Sequence, residues 1–206
     1  MPEFQRLLEG YQRFREVEYH TERQRWEELA EGQEPPVMII GCCDSRVDPA
    51  TIFDTRPGQA FILRNVANLV PPYETGGGLH GASAAIEFGV TSLNVAHIVV
   101  VGHGACGGIS AALNETDRDG GHSFIDQWIS IIDAPRTRIL SDTMIVDKQL
   151  ALELEAVKLS MANLRTFPFV QERVAAGTLK LHGCHFTIAE GQLFVLDETE
   201  TTFHPV

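Results

Sequence analysis

Two short β-branched runs constrain what this chain can fold into. Val37-Met38-Ile39-Ile40 and Ile98-Val99-Val100-Val101 each stop at a glycine, Gly41 and Gly102. Continuous apolar runs of this length that end in glycine predict strands buried on both faces, as in a parallel sheet, rather than helices. A reactive block follows each glycine: Cys42-Cys43-Asp44-Ser45-Arg46 after the first, His103-Gly104-Ala105-Cys106-Gly107-Gly108 after the second. In an open α/β sheet, ligands gather beyond the carboxyl ends of the strands. Two such ends bring Cys42 or Cys43 within reach of His103 and Cys106. Two thiolates and one imidazole are three of the ligands that a tetrahedral zinc accepts. A fourth position left to water is the layout of a catalytic zinc.

Spacing bears on which cysteine is the ligand. Alternate residues of an extended segment share a face, so Cys42, Asp44 and Arg46 point one way and Cys43 the other. The two cysteines exchange roles if the strand ends early. Arg46, two residues beyond Asp44, can hold that carboxylate through two parallel bonds that fit guanidinium geometry. A plain surface salt bridge is the alternative at this spacing.

Residues 1–31 are polar and helix-prone, with Leu7, Leu8, Tyr11, Phe14 and Trp26 as scattered anchors, and Pro35-Pro36 ends them. They predict an N-terminal helical arm, leaving residues 32–206 as one α/β domain. Within it, Asp48-Pro49 caps a short helix, Ala60–Leu63 is a strand, and residues 68–78 form a loop. Leu79–Phe88 reads as a small-residue helix. Residues 107–113 start the helix after the second block, and residues 114–122 form a polar link. Phe124, Ile125, Trp128, Ile129, Ile131 and Ile132 make one helical stripe. Residues 146–164 and 169–176 are helical, Leu179–Leu181, Cys184–Ile188 and Leu193–Leu196 are strands, and Glu190-Gly191 is a hairpin turn. Alternating β and α elements with a β-rich tail predict a mostly parallel sheet of four to five strands flanked by helices.

The net charge of -12 argues against nucleic acid or an anionic membrane as partner. No apolar run approaches the roughly 20 residues that span a bilayer. Met1–Leu8 lacks the apolar stretch of a secretory signal. Four cysteines, two of them given to metal, fit a reducing compartment better than a disulfide framework. The expected location is cytoplasmic.

The Cys-x-Asp-Ser-Arg block followed by His-x-x-Cys resembles the zinc signature of the β-class carbonic anhydrases. Pro57-Gly58-Gln59-Ala60-Phe61, the stretch from Arg64-Asn65-Val66 to Pro72-Tyr73, Ala84-Ala85-Ile86-Glu87-Phe88 and Gly102–Ile109 are similar to its plant-type branch. The resemblance runs from about residue 30 to the C-terminus. It implies a zinc lyase that interconverts carbon dioxide and bicarbonate by attack of zinc-bound hydroxide. One zinc per chain would be held by Cys42, His103 and Cys106, with water or Asp44 fourth. The family's Asp-Arg dyad matches Asp44 and Arg46. Phe61 matches an apolar pocket wall, and Gln33 a glutamine that reaches the pocket from a neighbouring subunit; without the family, Gln33 reads as an exposed loop residue. Phe88 stands where the plant-type branch often has tyrosine, which puts the pocket's hydrogen bonding in question. The resemblance also implies N-terminal helices lying across a partner, hence a homodimer or a higher even oligomer. The other branch has an inhibitory bicarbonate site that needs a tryptophan where this chain has Ile39, so that regulation is not expected.

Two thiolates cancel the charge of Zn2+, so the metal should acidify water less well than one held by neutral ligands. An acceptor beside the water would compensate, and alternation places Asp44 there. Gly107-Gly108, counted with the pocket, either binds an anion at the helix start or allows close backbone packing. His80, His97, His122, His182 and His185 read as packed or surface residues, and Cys184 as a small buried hydrophobe. Two other functions suit the same ligands. One is hydrolysis of CS2 or COS, which a long, narrow apolar tunnel would favour. The other is a non-catalytic zinc or redox-sensing protein, which would need a fourth protein ligand.

Overall fold

The computed structural model describes residues 2–76, 80–114 and 123–206. The chain forms two units, residues 1–34 and 35–206. The first holds α1 (Pro2–Glu16), α2 (Glu18–Thr21) and α3 (Arg23–Glu31). Charge pairs at helical spacing, such as Arg23 with Glu27 at 2.8 Å, support its polar faces. Phe14 and Trp26 meet edge to face with ring centroids 5.4 Å apart.

The second unit runs β1 (Val37–Cys42), α4 (Pro49–Ile52), β2 (Ala60–Asn65), α5 (Gly81–Glu87) and β3 (His97–His103). It continues through α6 (Gly107–Asn114), α7 (Phe124–Ile129), α8 (Asp133–Ser141), α9 (Lys148–Leu164) and α10 (Pro168–Ala175). The chain closes with β4 (Lys180–Thr187), β5 (Gln192–Asp197) and β6 (Thr202–Pro205). One six-stranded sheet has the order β2-β1-β3-β4-β5-β6. β2, β1, β3 and β4 pair in parallel, and β5 and β6 add antiparallel. This is the mostly parallel sheet that the βα alternation predicts, with one strand more than the expected upper count.

Three differences from the sequence reading have local causes. Leu179–Leu181 and Cys184–Ile188, expected as two strands, form the single β4, because Gly183 stays in register opposite Val100. The stripe from Phe124 to Ile132 bends into a 3₁₀ turn at Ser130. α8 then follows it, with Pro135 in its first turn, where proline is tolerated. Gly77, Gly78 and Leu79, and residues 115–122 of the polar link with His122 among them, lie outside the described residues.

The strand order places the site. From β1 the chain crosses to β2 on one side, then returns to β3 on the other, so the switch point lies between β1 and β3. Gly41 is opposite Val101, which brings both reactive blocks out at the same edge. One face of the sheet buries Met38, Ile40, Ile98 and Val100 against Val157, Met161 and Leu164 of α9. That approach depends on glycines. A Cβ on Gly102 would stand 2.6 Å from Val157 Cγ2, and one on Gly183 2.9 Å from Val157 Cγ1. α9 therefore rests close on β3 and β4, and its first two turns reach the Cys106 backbone through Gln149 and Glu153.

Candidate metal centre

Cys42 is the last residue of β1, His103 the last of β3, and Cys106 directly precedes α6. Their ligand atoms lie within 4.8 Å of one another, and all three residues are buried. The two sulfurs are 4.0 Å apart; two sulfurs on a tetrahedral zinc stand about 3.8 Å apart. His103 Nδ1 donates to the Gly104 carbonyl at 2.9 Å, which fixes the tautomer and leaves Nε2 as a lone pair. That Nε2 is buried without a hydrogen-bond partner. Buried polar atoms are almost always satisfied, so an orphaned imidazole nitrogen beside two sulfurs fits a metal. Among the described residues no fourth cysteine, histidine or carboxylate joins the group.

The cysteine pair is asymmetric before any metal enters. The contact with Cys106, with the Asp44 amide adding to it, holds the Cys42 thiol well below its ordinary range. The Asp44 amide lies 3.4 Å from Cys42 Sγ. Cys106, on the other side of the same contact, is pushed up, and burial pushes it further. Cys43 points away: it is exposed, and its amide donates to the Asn65 carbonyl at 2.8 Å.

Arg46 grips Asp44 across a turn and not along a strand, because β1 ends at Cys42 and the Val47 amide donates to the Asp44 carbonyl at 3.2 Å. Nε donates to Oδ1 at 2.9 Å and Nη2 to Oδ2 at 2.6 Å, while the Arg46 amide also donates to Oδ1 at 3.0 Å. These bonds hold the Asp44 carboxyl well below the usual carboxylate range. Arg46 Nη2 also donates to the Ala105 carbonyl at 2.9 Å, tying the first block to the second. Asp44 Oδ2 stands 3.9 Å from His103 Nε2.

Among the other sequence candidates, Phe61 and Phe88 pack on each other with ring centroids 5.8 Å apart. Gly107 has open space where a Cβ would sit, whereas a Cβ on Gly108 would meet Val66 Cγ1 at 2.8 Å. Close packing therefore explains Gly108 and not Gly107. Gln33 is exposed, in the N-terminal unit. Sequence reasoning passed over Arg64, whose guanidinium donates to the carbonyls of Cys42, Asp44 and Val47 at 2.8–2.9 Å. It also passed over Gln149 and Glu153, and gave His185 no role at the site. A charged residue ending the strand beside β1, and a glutamate inside an apolar helix stripe, were the available signals. A cleft of about 590 Å³ borders the site on the Arg46 side, lined also by Gln149, Glu153 and His185. A second, of about 680 Å³, is lined by Cys43, Leu63, Arg64, Val66, Phe124 and Trp128.

A family model described as carbonic anhydrase matches residues 37–193. Beta carbonic anhydrase 6, mitochondrial, from Arabidopsis thaliana is 38% identical over 185 residues, covering 88% of this chain and 63% of the relative. Beta carbonic anhydrase 5, chloroplastic, from the same plant is 34% identical over 190 residues, covering 91% and 62%. The chain thus spans less than two thirds of the length of these curated relatives. The solved structure of the β-carbonic anhydrase CcaA superposes with a TM-score of 0.93 at 31% identity, over 100% of this chain and 93% of that one. A tetrameric β-carbonic anhydrase of the ascomycete Sordaria macrospora gives 0.85 at 30% identity, over 95% and 98%. The expected cytoplasmic location does not stand, because the relatives' mitochondrial and chloroplastic names point away from it. Lack of a disulfide framework separates oxidising from reducing surroundings and does not choose among reducing ones.

Proposed function

The chain belongs to the β-class carbonic anhydrases, and from that membership we propose that it catalyses the reversible hydration of carbon dioxide to bicarbonate and a proton. The cofactor is one zinc per chain, held by Cys42, His103 and Cys106. One observation carries the reading: three buried donor atoms converge, one of them an orphaned imidazole nitrogen, beside a carboxylate that an arginine holds back. Zinc bound there would supply the Lewis acidity that makes water a nucleophile near neutral pH, the property best known from carbonic anhydrases with three histidine ligands.

The chain's own residues do the rest. Asp44, ionised by its bonds to Arg46, accepts a hydrogen bond from the reacting water and so orients it. Arg46 keeps the same carboxylate from becoming a ligand. The Asp44 amide donates towards Cys42 Sγ and draws charge off that thiolate, which partly offsets the weakness of a doubly thiolate-bound metal as an acid. Phe61 lies opposite Met38, four residues short of Cys42 on β1, so the Phe61–Phe88 pair stands away from this chain's own metal ligands and would wall the pocket of a second copy. Gln33 of a second copy completes the pocket, so a dimer or larger even oligomer is the active form. The tetrameric relative supports self-association.

Hydrolysis of CS2 or COS is the competing reaction. The test is turnover of zinc-loaded protein with CO2 and with CS2 in parallel. The reading expects fast CO2 hydration and negligible sulfide release; the reverse order would overturn it.

A further inference from the structure

The Ala105–Cys106 peptide unit is gripped at both ends. Its carbonyl accepts from Arg46 Nη2 at 2.9 Å, and its amide, the Cys106 N–H, donates to Glu153 Oε1 at 3.0 Å. Gln149 Nε2 binds on either side of this contact, donating to Glu153 Oε1 at 2.6 Å and to the Cys106 carbonyl at 3.1 Å. On the far oxygen, Glu153 Oε2 meets His185 Nε2 at 3.1 Å, and the two side chains are only 2% and 1% exposed.

Position 153 sits among the buried residues Leu152, Ala156, Val157 and Met161 of α9. An apolar side chain would fill it without the desolvation that a carboxylate suffers, so filling space does not explain the glutamate. What the carboxylate supplies is an acceptor for one amide. Ala105 has φ +54, a left-handed conformation that alanine seldom adopts and that needs outside support.

We propose that Glu153 is a positioning residue of the metal centre. Through the Ala105–Cys106 peptide it aims Cys106 Sγ at the metal, and through the Ala105 carbonyl it fixes the pose in which Arg46 restrains Asp44. Gln149 and His185 hold Glu153 in place. Without the acceptor, the peptide turns to relieve Ala105, the carbonyl leaves Arg46, and the ligand and the dyad loosen together. The inference rests on the zinc reading and extends it to a residue that touches neither metal nor substrate.

The test uses full-length, zinc-loaded Glu153→Leu, Glu153→Gln and Gln149→Ala. Two quantities are followed: the rate of zinc transfer to a colorimetric chelator, and the visible spectrum of the cobalt-substituted protein. Loss of an outer partner of a metal ligand typically costs about 10- to 100-fold in affinity or activity. Glu153→Leu should therefore lose zinc at least about tenfold faster and show altered cobalt bands as Asp44 enters the coordination shell. Glu153→Gln keeps an oxygen for the Cys106 amide and should stay close to wild type. Gln149→Ala, a half-buried change in the first turn of α9, should move both readouts the same way by less, and it decides the matter if Glu153→Leu does not fold. Wild-type zinc release and cobalt spectra in Gln149→Ala and in folded Glu153→Leu, whatever their melting temperatures, would overturn the proposal. Failure of the wild-type protein to retain zinc would instead remove the metal assignment, and this inference with it.

Discussion

On the proposed reading Asp44 would bind the metal if nothing restrained it, and Arg46 holds it by two side-chain bonds of 2.9 and 2.6 Å. Paired charge-assisted bonds of this kind bias a carboxylate between restrained and freed poses by about tenfold to hundredfold. Arg46→Ala should therefore lower CO2 hydration by a factor in that range while zinc stays near one per chain, as metal analysis alongside the rate assay would show. Arg46→Lys should recover little, since a single ammonium does not reproduce the paired geometry. Unchanged turnover in Arg46→Ala would place the pair with ordinary surface salt bridges. At this scale much of the site was legible. The residue types at 42, 44 and 46 pointed to the chemistry, but the turn after β1, not alternation along a strand, joins Asp44 to Arg46. Arg64 and Glu153 were not legible, because they act on backbone carbonyls and an amide, which carry no residue-specific signal. They become visible only when β2 and α9 are laid beside the site.

At the scale of elements, packing between α9 and the sheet sets the geometry. Val157 nests against Gly102 and Gly183 so closely that neither tolerates a Cβ in place. Gly102→Ala should cost about 1–3 kcal/mol by overpacking, and adding Val157→Ala should recover part of it, measured as midpoints of denaturant unfolding. A second element-level contact joins β3 to β4, where His97 Nδ1 and His182 Nε2 are 3.0 Å apart. Burial, then the charges of His97 and Lys180, push the His182 imidazole below its ordinary pKa. The unfolded chain thus takes up this proton at a higher pH than the folded one, and stability falls as pH drops through about 6.5. His182→Gln should flatten the decline in melting temperature between about pH 7.5 and 5.5; an unchanged decline would assign it to other groups. The parallel strands were legible because β-branched runs ending in glycine have few other uses. β6 was missed, being a four-residue edge strand that ends in proline. α8 was hidden behind a stripe that read as one continuous helix.

For the whole molecule, the N-terminal unit raises the question of assembly. Phe4, Leu7, Leu8 and Tyr11 recur at helical spacing on α1 and are 41–70% exposed. A stripe of that kind marks an interaction surface, and the proposed oligomer would place a second copy of the chain on it. Deleting residues 1–31 should lower the association state seen by sedimentation velocity and reduce turnover together; a fully active monomer would separate catalysis from assembly. Fold class and family were readable from about residue 30 onward because the reactive blocks sit at fixed places in the strand order, and the family model matches residues 37–193. Location was misread, since cysteine content reports redox surroundings alone. Stopped-flow CO2 hydration by the intact protein, with zinc counted in the same samples, tests the central claim most directly. The expected result is catalysis at one zinc per chain, with both metal and rate lost in the Cys42→Ser, Cys106→Ser double variant. Full zinc without acceleration in the wild type, or full zinc retained in the double variant, would contradict it.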